Sequence, residues 1–118
     1  MKEYILADIE AKFADIIWKN EPITSPELVK LCEKELNWKK STTYTVLKKL
    51  VNRGIFRNEK AVVTSQLSRE EFYGRQSQVY VEETFGSLPK FLTAFFKGKK
   101  ISPEDAEELK AYIDNYGK

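Results

Sequence analysis

The sequence predicts a mainly α-helical protein with one small β-hairpin, its helices divided between an N-terminal and a C-terminal part. Three observations carry this expectation. Apolar residues recur at three- and four-residue spacing through most of the 118 residues, and capping or breaking residues bound each run. Short β-branched runs interrupt the helices between Ile55 and Leu67. Between Trp38 and Lys60, seven Lys/Arg stand against one acid, Glu59, in a chain of net charge +2.

Ile5, Ile9, Phe13, Ile16 and Ile17 predict a first amphipathic helix over roughly 6–19, ended where Pro22 disfavours helix at Glu21. Thr24-Ser25-Pro26-Glu27 then supplies a cap, a first-turn proline and the acid of a capping box. The helix it opens runs to about Leu36 and places Leu28, Leu31, Cys32 and Leu36 on one face. After Asn37-Trp38-Lys39, a third helix runs from about Lys40 to Arg53, with Gly54 at its C-terminal cap. Ile55–Asn58 and Ala61–Leu67 predict the two strands of the hairpin. Three helices followed by a hairpin is the order of a winged helix-turn-helix, whose third helix enters the DNA major groove.

Composition narrows the function. The chain has no histidine, which removes imidazole general bases, Ser-His-Asp and Cys-His nucleophiles, and His-based metal sites. Its one cysteine, Cys32, forms no internal disulfide and is read as a small core residue. Paired acids such as Glu70-Glu71 and Glu107-Glu108 accompany no nucleophile or base. Neither catalysis, a metal nor a cofactor is expected. No run approaches the ~20 apolar residues of a membrane span. Met1-Lys2-Glu3-Tyr4 does not open a signal peptide, so a cytoplasmic location without membrane contact is expected.

On the third helix, Thr43, Leu47 and Leu50 share the core side. Ser41, Thr42, Thr45, Lys48, Lys49 and Asn52 fall on the outer side without an acid among them. Hydroxyls and ammonium groups are suited to base edges and phosphates. The expected DNA contacts are Thr42 and Thr45 at bases or nearby phosphates, and Ser41, Lys48 and Lys49 at phosphates. Lys40 assists from the turn and Arg57 from the wing. Tyr44, Trp18 and Trp38 are read as packing residues. A protein-interaction module is the alternative, as is a regulator of unrelated genes with another inducer.

Residues 1–67 are thus expected to form the DNA-binding domain and 68–118 a three-helix dimerisation domain. Ser68 and Glu71 open a long helix to about Thr84, poor in apolar residues beyond Phe72, Tyr73, Val79, Tyr80 and Val81. Leu88, Phe91, Leu92, Phe95 and Phe96 form a short, strongly apolar helix. Ser102-Pro103-Glu104-Asp105 caps a last one carrying Leu109, Tyr112, Ile113 and Tyr116. About 50 residues hold little core of their own. A homodimer through Phe72, Val79, Leu88, Phe91, Leu92, Phe95, Leu109 and Ile113 would bury these faces.

These residues, taken in order, resemble the BlaI/MecI/CopY family of winged-helix repressors over nearly the whole chain. Glu10 with Ile16-Ile17-Trp18 is similar to the family's first helix, and Ile23-Thr24-Ser25-Pro26-Glu27-Leu28 to the opening of its second. Trp38, Thr42, Thr45, Leu47, Leu50 and Gly54 resemble its recognition helix. Leu67-Ser68-Arg69-Glu70-Glu71-Phe72 resembles the junction into its dimerisation domain. Phe85-Gly86-Ser87-Leu88 and Ile101-Ser102-Pro103-Glu104 resemble the starts of the last two helices. The resemblance implies a homodimeric transcriptional repressor on a palindromic duplex operator, controlling β-lactam resistance or related genes. It also implies release through a sensor-activated protease that cuts within the dimerisation domain; the corresponding bond here is Ala94-Phe95, with Ala94 where the β-lactam repressors carry Asn. The copper-responsive branch ends in a Cys-rich motif, which Cys32 alone does not supply. Lys39 stands where the recognition helix usually opens on Ser or Thr, so its cap shifts to Ser41 or is lost. Lys60-Ala61 replaces the usual Gly-Arg of the wing.

Overall fold

The computed structural model describes residues 5–117. The Met1–Tyr4 start, read above for its lack of a signal peptide, lies outside them. The elements are α1 (Asp8–Asn20), β1 (Ile23–Thr24), α2 (Ser25–Leu36), α3 (Lys40–Asn52), β2 (Phe56–Glu59), β3 (Val62–Ser65), α4 (Arg69–Phe85), α5 (Leu88–Gly98) and α6 (Pro103–Tyr116). This is the winged-helix order followed by helices, as the sequence predicts.

Local chemistry sets the helix starts. The Thr24 hydroxyl accepts from the Glu27 N–H at 3.3 Å while Glu27 Oε1 lies 3.4 Å from the Thr24 N–H, a closed capping box. Ser68 and Glu71 form a second, with both hydrogen bonds within 3.0 Å. Ser102 caps α6 through the Asp105 N–H. α3 has no such device. Lys39 is its N-cap and makes no side-chain cap, so the cap is lost rather than moved to Ser41.

The sheet holds more than the expected hairpin. β3 pairs antiparallel with both β2 and the two-residue β1, in the order β1-β3-β2, with Ile23 opposite Val63 and Asn58 also opposite Val63 on the other edge. Two residues are too few for an alternation to show in sequence. The β2–β3 turn places Lys60 and Ala61 at φ 50° and 63°. The twist of a two-residue hairpin requires left-handed backbone at both positions, normally met by Asn-Gly. Here the Ala61 carbonyl accepts from the Ser25 N–H at 2.8 Å, which fixes the turn to the start of α2.

The chain forms two compact units, Met1–Val79 and Tyr80–Lys118. The first has a continuous core of Phe13, Ile17, Leu28, Cys32, Leu47, Leu50, Ile55, Phe56, Val63 and Phe72, with Ile16 and Ile23 beside them. Ile5 and Ile9, expected on the inner face of α1, are exposed. Phe13 stacks on Trp38 at 5.3 Å between ring centroids. Trp18 packs against Phe56, Phe72 and Tyr73 and donates its indole N–H to the Leu67 carbonyl at 3.0 Å. Arg69 pairs with Asp15 of α1 at 2.9 Å.

These contacts bear on two expectations. By contact, the first compact unit runs past Leu67, the expected end of the DNA-binding domain, to Val79, and the opening turn of α4 is packed and hydrogen-bonded onto α1. Phe72, expected at a dimer interface, is fully buried in the core of its own chain and offers no surface to a partner.

In the second unit no residue of α5 or α6 is fully buried. Tyr80, Phe85, Phe91, Phe95 and Phe96 form a chain of ring contacts with centroids 5.2–6.2 Å apart. Phe91, Leu92, Phe95 and Phe96 face Ile101, Leu109 and Tyr112 across a groove of about 380 Å³.

Candidate nucleic-acid interface

α3 is anchored by one face and open on the other. Thr43, Leu47 and Leu50 lie in the core, so the ~100° step of the helix carries Lys40, Ser41, Thr42, Thr45, Lys48, Lys49 and Asn52 to the exposed surface. The three-residue link before α3 sets its direction. Asn37 takes left-handed backbone at φ 57°, and the Trp38 N–H returns to the Cys32 carbonyl at 3.2 Å. Asn tolerates this conformation better than most residues. Trp38, stacked on Phe13, ties the same link to α1. The mouth of α3 is positive: the uncapped first-turn amides add the positive end of the helix dipole to Lys39 and Lys40. No acid occupies the first turn.

The hydroxyls differ in what they offer. Thr45 donates to the Ser41 carbonyl at 2.9 Å, so its exposed side chain keeps an acceptor oxygen and a methyl group to offer. An acceptor and a methyl suit base amino groups and the thymine methyl in the major groove. Thr43 donates to the Lys39 carbonyl and is buried, which confirms its place on the core side. Tyr44 is half-buried, with the Lys40 ammonium 6.0 Å from its ring centroid, a packing position. Arg57 is exposed on β2 and lies 3.4 Å from Glu59 on the same strand.

Lys49 has a partner within its own chain. Its Nζ donates to Glu10 Oε2 of α1 at 2.7 Å. The hydrogen bond from Lys49, then that from the Ala7 N–H, holds the Glu10 carboxyl below its ordinary value of 4.5. The outer face is acid-free in its own helix but carries this one acid from a neighbour. Sequence reading missed Glu10 because its partner lies 39 residues away; the visible signal was an acid inside the otherwise apolar spacing of α1. Arg53, the C-cap residue of α3, donates to the Ile5 carbonyl at 2.8 Å.

Cys32 is buried, and burial pushes its thiol up to about 11, with the neighbouring Thr43 hydroxyl partly opposing the shift. It is a packing residue without thiolate chemistry. Among the described residues, no cluster of His, Cys, Asp or Glu is arranged to hold a metal ion, and no helix is long and apolar enough to cross a membrane.

A model of the penicillinase repressor family matches residues 6–115, both units and nearly all of the chain. The penicillinase repressor of Bacillus licheniformis is 22% identical over 116 residues, covering 94% of this chain and 91% of that protein.

Proposed function

The chain belongs to the penicillinase repressor family, a family of DNA-binding transcriptional repressors, and from that premise we propose that it acts as a homodimer on a palindromic duplex operator, with one α3 in each half-site. The observation that carries this reading is the outer face of α3: exposed hydroxyls and lysines on a helix whose other side is locked into a core. Thr42 and Thr45 approach base edges. Lys48 and Ser41 meet phosphates along the helix, Lys40 meets them at its positive N-terminus, and Arg57 meets them from the wing.

The second unit supports the dimer. A segment of 39 residues with no fully buried side chain in α5 or α6 does not hold itself together by its own core. Leu88, Phe95 and Ile113 are 55%, 41% and 53% exposed, and Phe91, Leu92 and Leu109 are half-buried, as is Val79 at the end of the first unit. Fully burying such side chains contributes about 1.5–3 kcal/mol each, and the same face of a second copy buries them symmetrically. One recognition helix reads too few base pairs for useful specificity, so the dimer is what makes the operator site.

Dissociation of the dimer is then the switch. A cut at Ala94-Phe95 by a sensor-activated protease divides the aromatic face of α5 in the middle, separating Phe91 and Leu92 from Phe95 and Phe96. The proposed targets are genes of β-lactam resistance or related functions.

The test is selection of bound duplexes from a random pool by the full-length protein, repeated with Phe95→Asp. A palindromic consensus from the parent, weakened in the variant, supports the proposal. A protein that stays dimeric yet enriches no sequence refutes it.

A further inference from the structure

Two cations at the C-terminal end of α3 reach toward the N-terminal side of α1: Lys49, in the last turn of α3, bonds the Glu10 carboxylate at 2.7 Å, and Arg53, its C-cap residue, bonds the carbonyl of Ile5, three residues before α1, at 2.8 Å. The Glu10 side chain is only 12% exposed, while that of Lys49 is 59% exposed. The other Glu10 oxygen accepts from the Ala7 N–H at 3.0 Å, so both carboxylate oxygens are engaged. Lys49 lies on the helix between the directions of Thr42 and Thr45, within the face that reads DNA.

We infer that Glu10 is a positioning residue for the DNA-reading helix: through Lys49 it clamps α3 to the first turn of α1, and it withholds the Lys49 charge from DNA phosphate. The DNA half of this statement rests on the repressor reading; the clamp itself does not. The physical case is asymmetric. A largely buried carboxylate that loses its cation is left desolvated and uncompensated, a strongly unfavourable state. An exposed lysine that exchanges a carboxylate for a phosphate only trades one ion pair for another. Lys49 therefore stays with Glu10 when DNA binds, and Lys48, one position earlier, supplies the phosphate contact. A second consequence follows. Glu10 lowers affinity for duplex DNA of any sequence by removing one cation per subunit from a face that otherwise attracts every phosphate backbone, which raises the share of binding decided by base contacts.

The experiment uses the full-length protein and a mixed-sequence duplex of about 30 base pairs, so no operator need be known. The dissociation constant is measured against salt for the parent, Lys48→Gln, Lys49→Gln and Glu10→Gln. Each phosphate contact contributes about 0.9 to the log–log slope. Lys48→Gln is expected to make the slope shallower by about 1.8 for the two subunits. Lys49→Gln leaves it within about 0.5 of the parent. Glu10→Gln frees two ammonium groups per dimer and steepens it by up to about 1.8, with tighter binding at low salt. If Lys49→Gln flattens the slope as Lys48→Gln does, Lys49 is a phosphate contact and the inference is overturned.

Thermal unfolding of the same variants judges the clamp without DNA. Glu10→Gln, Lys49→Gln and the double variant are expected to lose about the same Tm, and Lys49→Arg to restore it. Additive losses overturn the clamp. A parent that shows no salt-dependent binding to duplex DNA overturns the repressor reading instead, and the unfolding result then stands on its own.

Discussion

Replacing Phe72 by alanine separates the two roles that α4 has to fill. The ring is fully buried, with its centroid 5.9 Å from that of Trp18 and 5.2 Å from that of Tyr73. Truncation removes about 1.5–3 kcal/mol of transfer free energy, and the cavity left behind raises typical losses to about 3–5 kcal/mol. Trp18 and Tyr73 are only partly buried and can close part of the space, which places the expected loss near the lower end, about 3 kcal/mol. That is a large share of the ~5–15 kcal/mol of a whole domain. With a urea dependence of about 1–1.5 kcal/mol per molar for a unit this small, the midpoint falls by about 2–3 M. Both tryptophans of the chain lie in the first unit, so intrinsic fluorescence follows that unit alone. The Phe72→Ala protein should therefore show an early fluorescence transition while sedimentation still finds a dimer at temperatures where it is folded. A midpoint within about 0.5 M of the parent, together with a shift towards monomer, would show that the ring serves the interface and that its placement in the core is wrong.

Phe95→Asp puts a charge into the aromatic row of α5. Sedimentation should find monomers across the micromolar range with the tryptophan transition little changed; a dimer as tight as the parent moves the interface elsewhere. Lys48→Ala should weaken binding to every duplex sequence by a similar factor, since phosphate contacts carry no sequence information; a loss confined to the selected consensus would assign Lys48 to a base. The Glu10 carboxyl is held below its ordinary 4.5 by Lys49, then by the Ala7 N–H, with Arg53 adding to the effect. A depressed folded value means that this stabilisation is fully present above pH 4.5 and is lost as pH falls through the folded value. The Tm gap between the parent and Glu10→Gln should accordingly be constant from pH 6 to 7 and shrink below 4.5; a gap that grows in acid contradicts the assignment. Cys32, buried and with its thiol raised to about 11, should react with an aromatic disulfide reagent at pH 8 only as fast as the first unit opens. Labelling at the rate of a free thiol would place it at the surface.

Helix-forming patterns, caps and turn residues act within a few positions of one another, and for that reason they could be read from the residues alone. The Thr24–Glu27 and Ser68–Glu71 boxes, the break at Pro22, the outward set on α3 and the apolar run of α5 each lie within a single short segment of chain, none longer than about three helical turns. The winged-helix order followed from them, as did the resemblance that the family match bears out. What the residues did not disclose depends on partners far apart in the chain. Glu10 meets Lys49 across 39 residues, Trp18 reaches the Leu67 carbonyl across 49, and the two residues of β1 become a strand only because β3 lies beside them. Phe72 looked like an interface residue because α4 is otherwise polar, and only the position of Trp18 made it core. The local sequence determined which faces exist and what chemistry each carries. The tertiary structure decided which of those faces are already spent inside the chain, because burial and ion pairing are settled by distances in space that separation along the sequence does not encode.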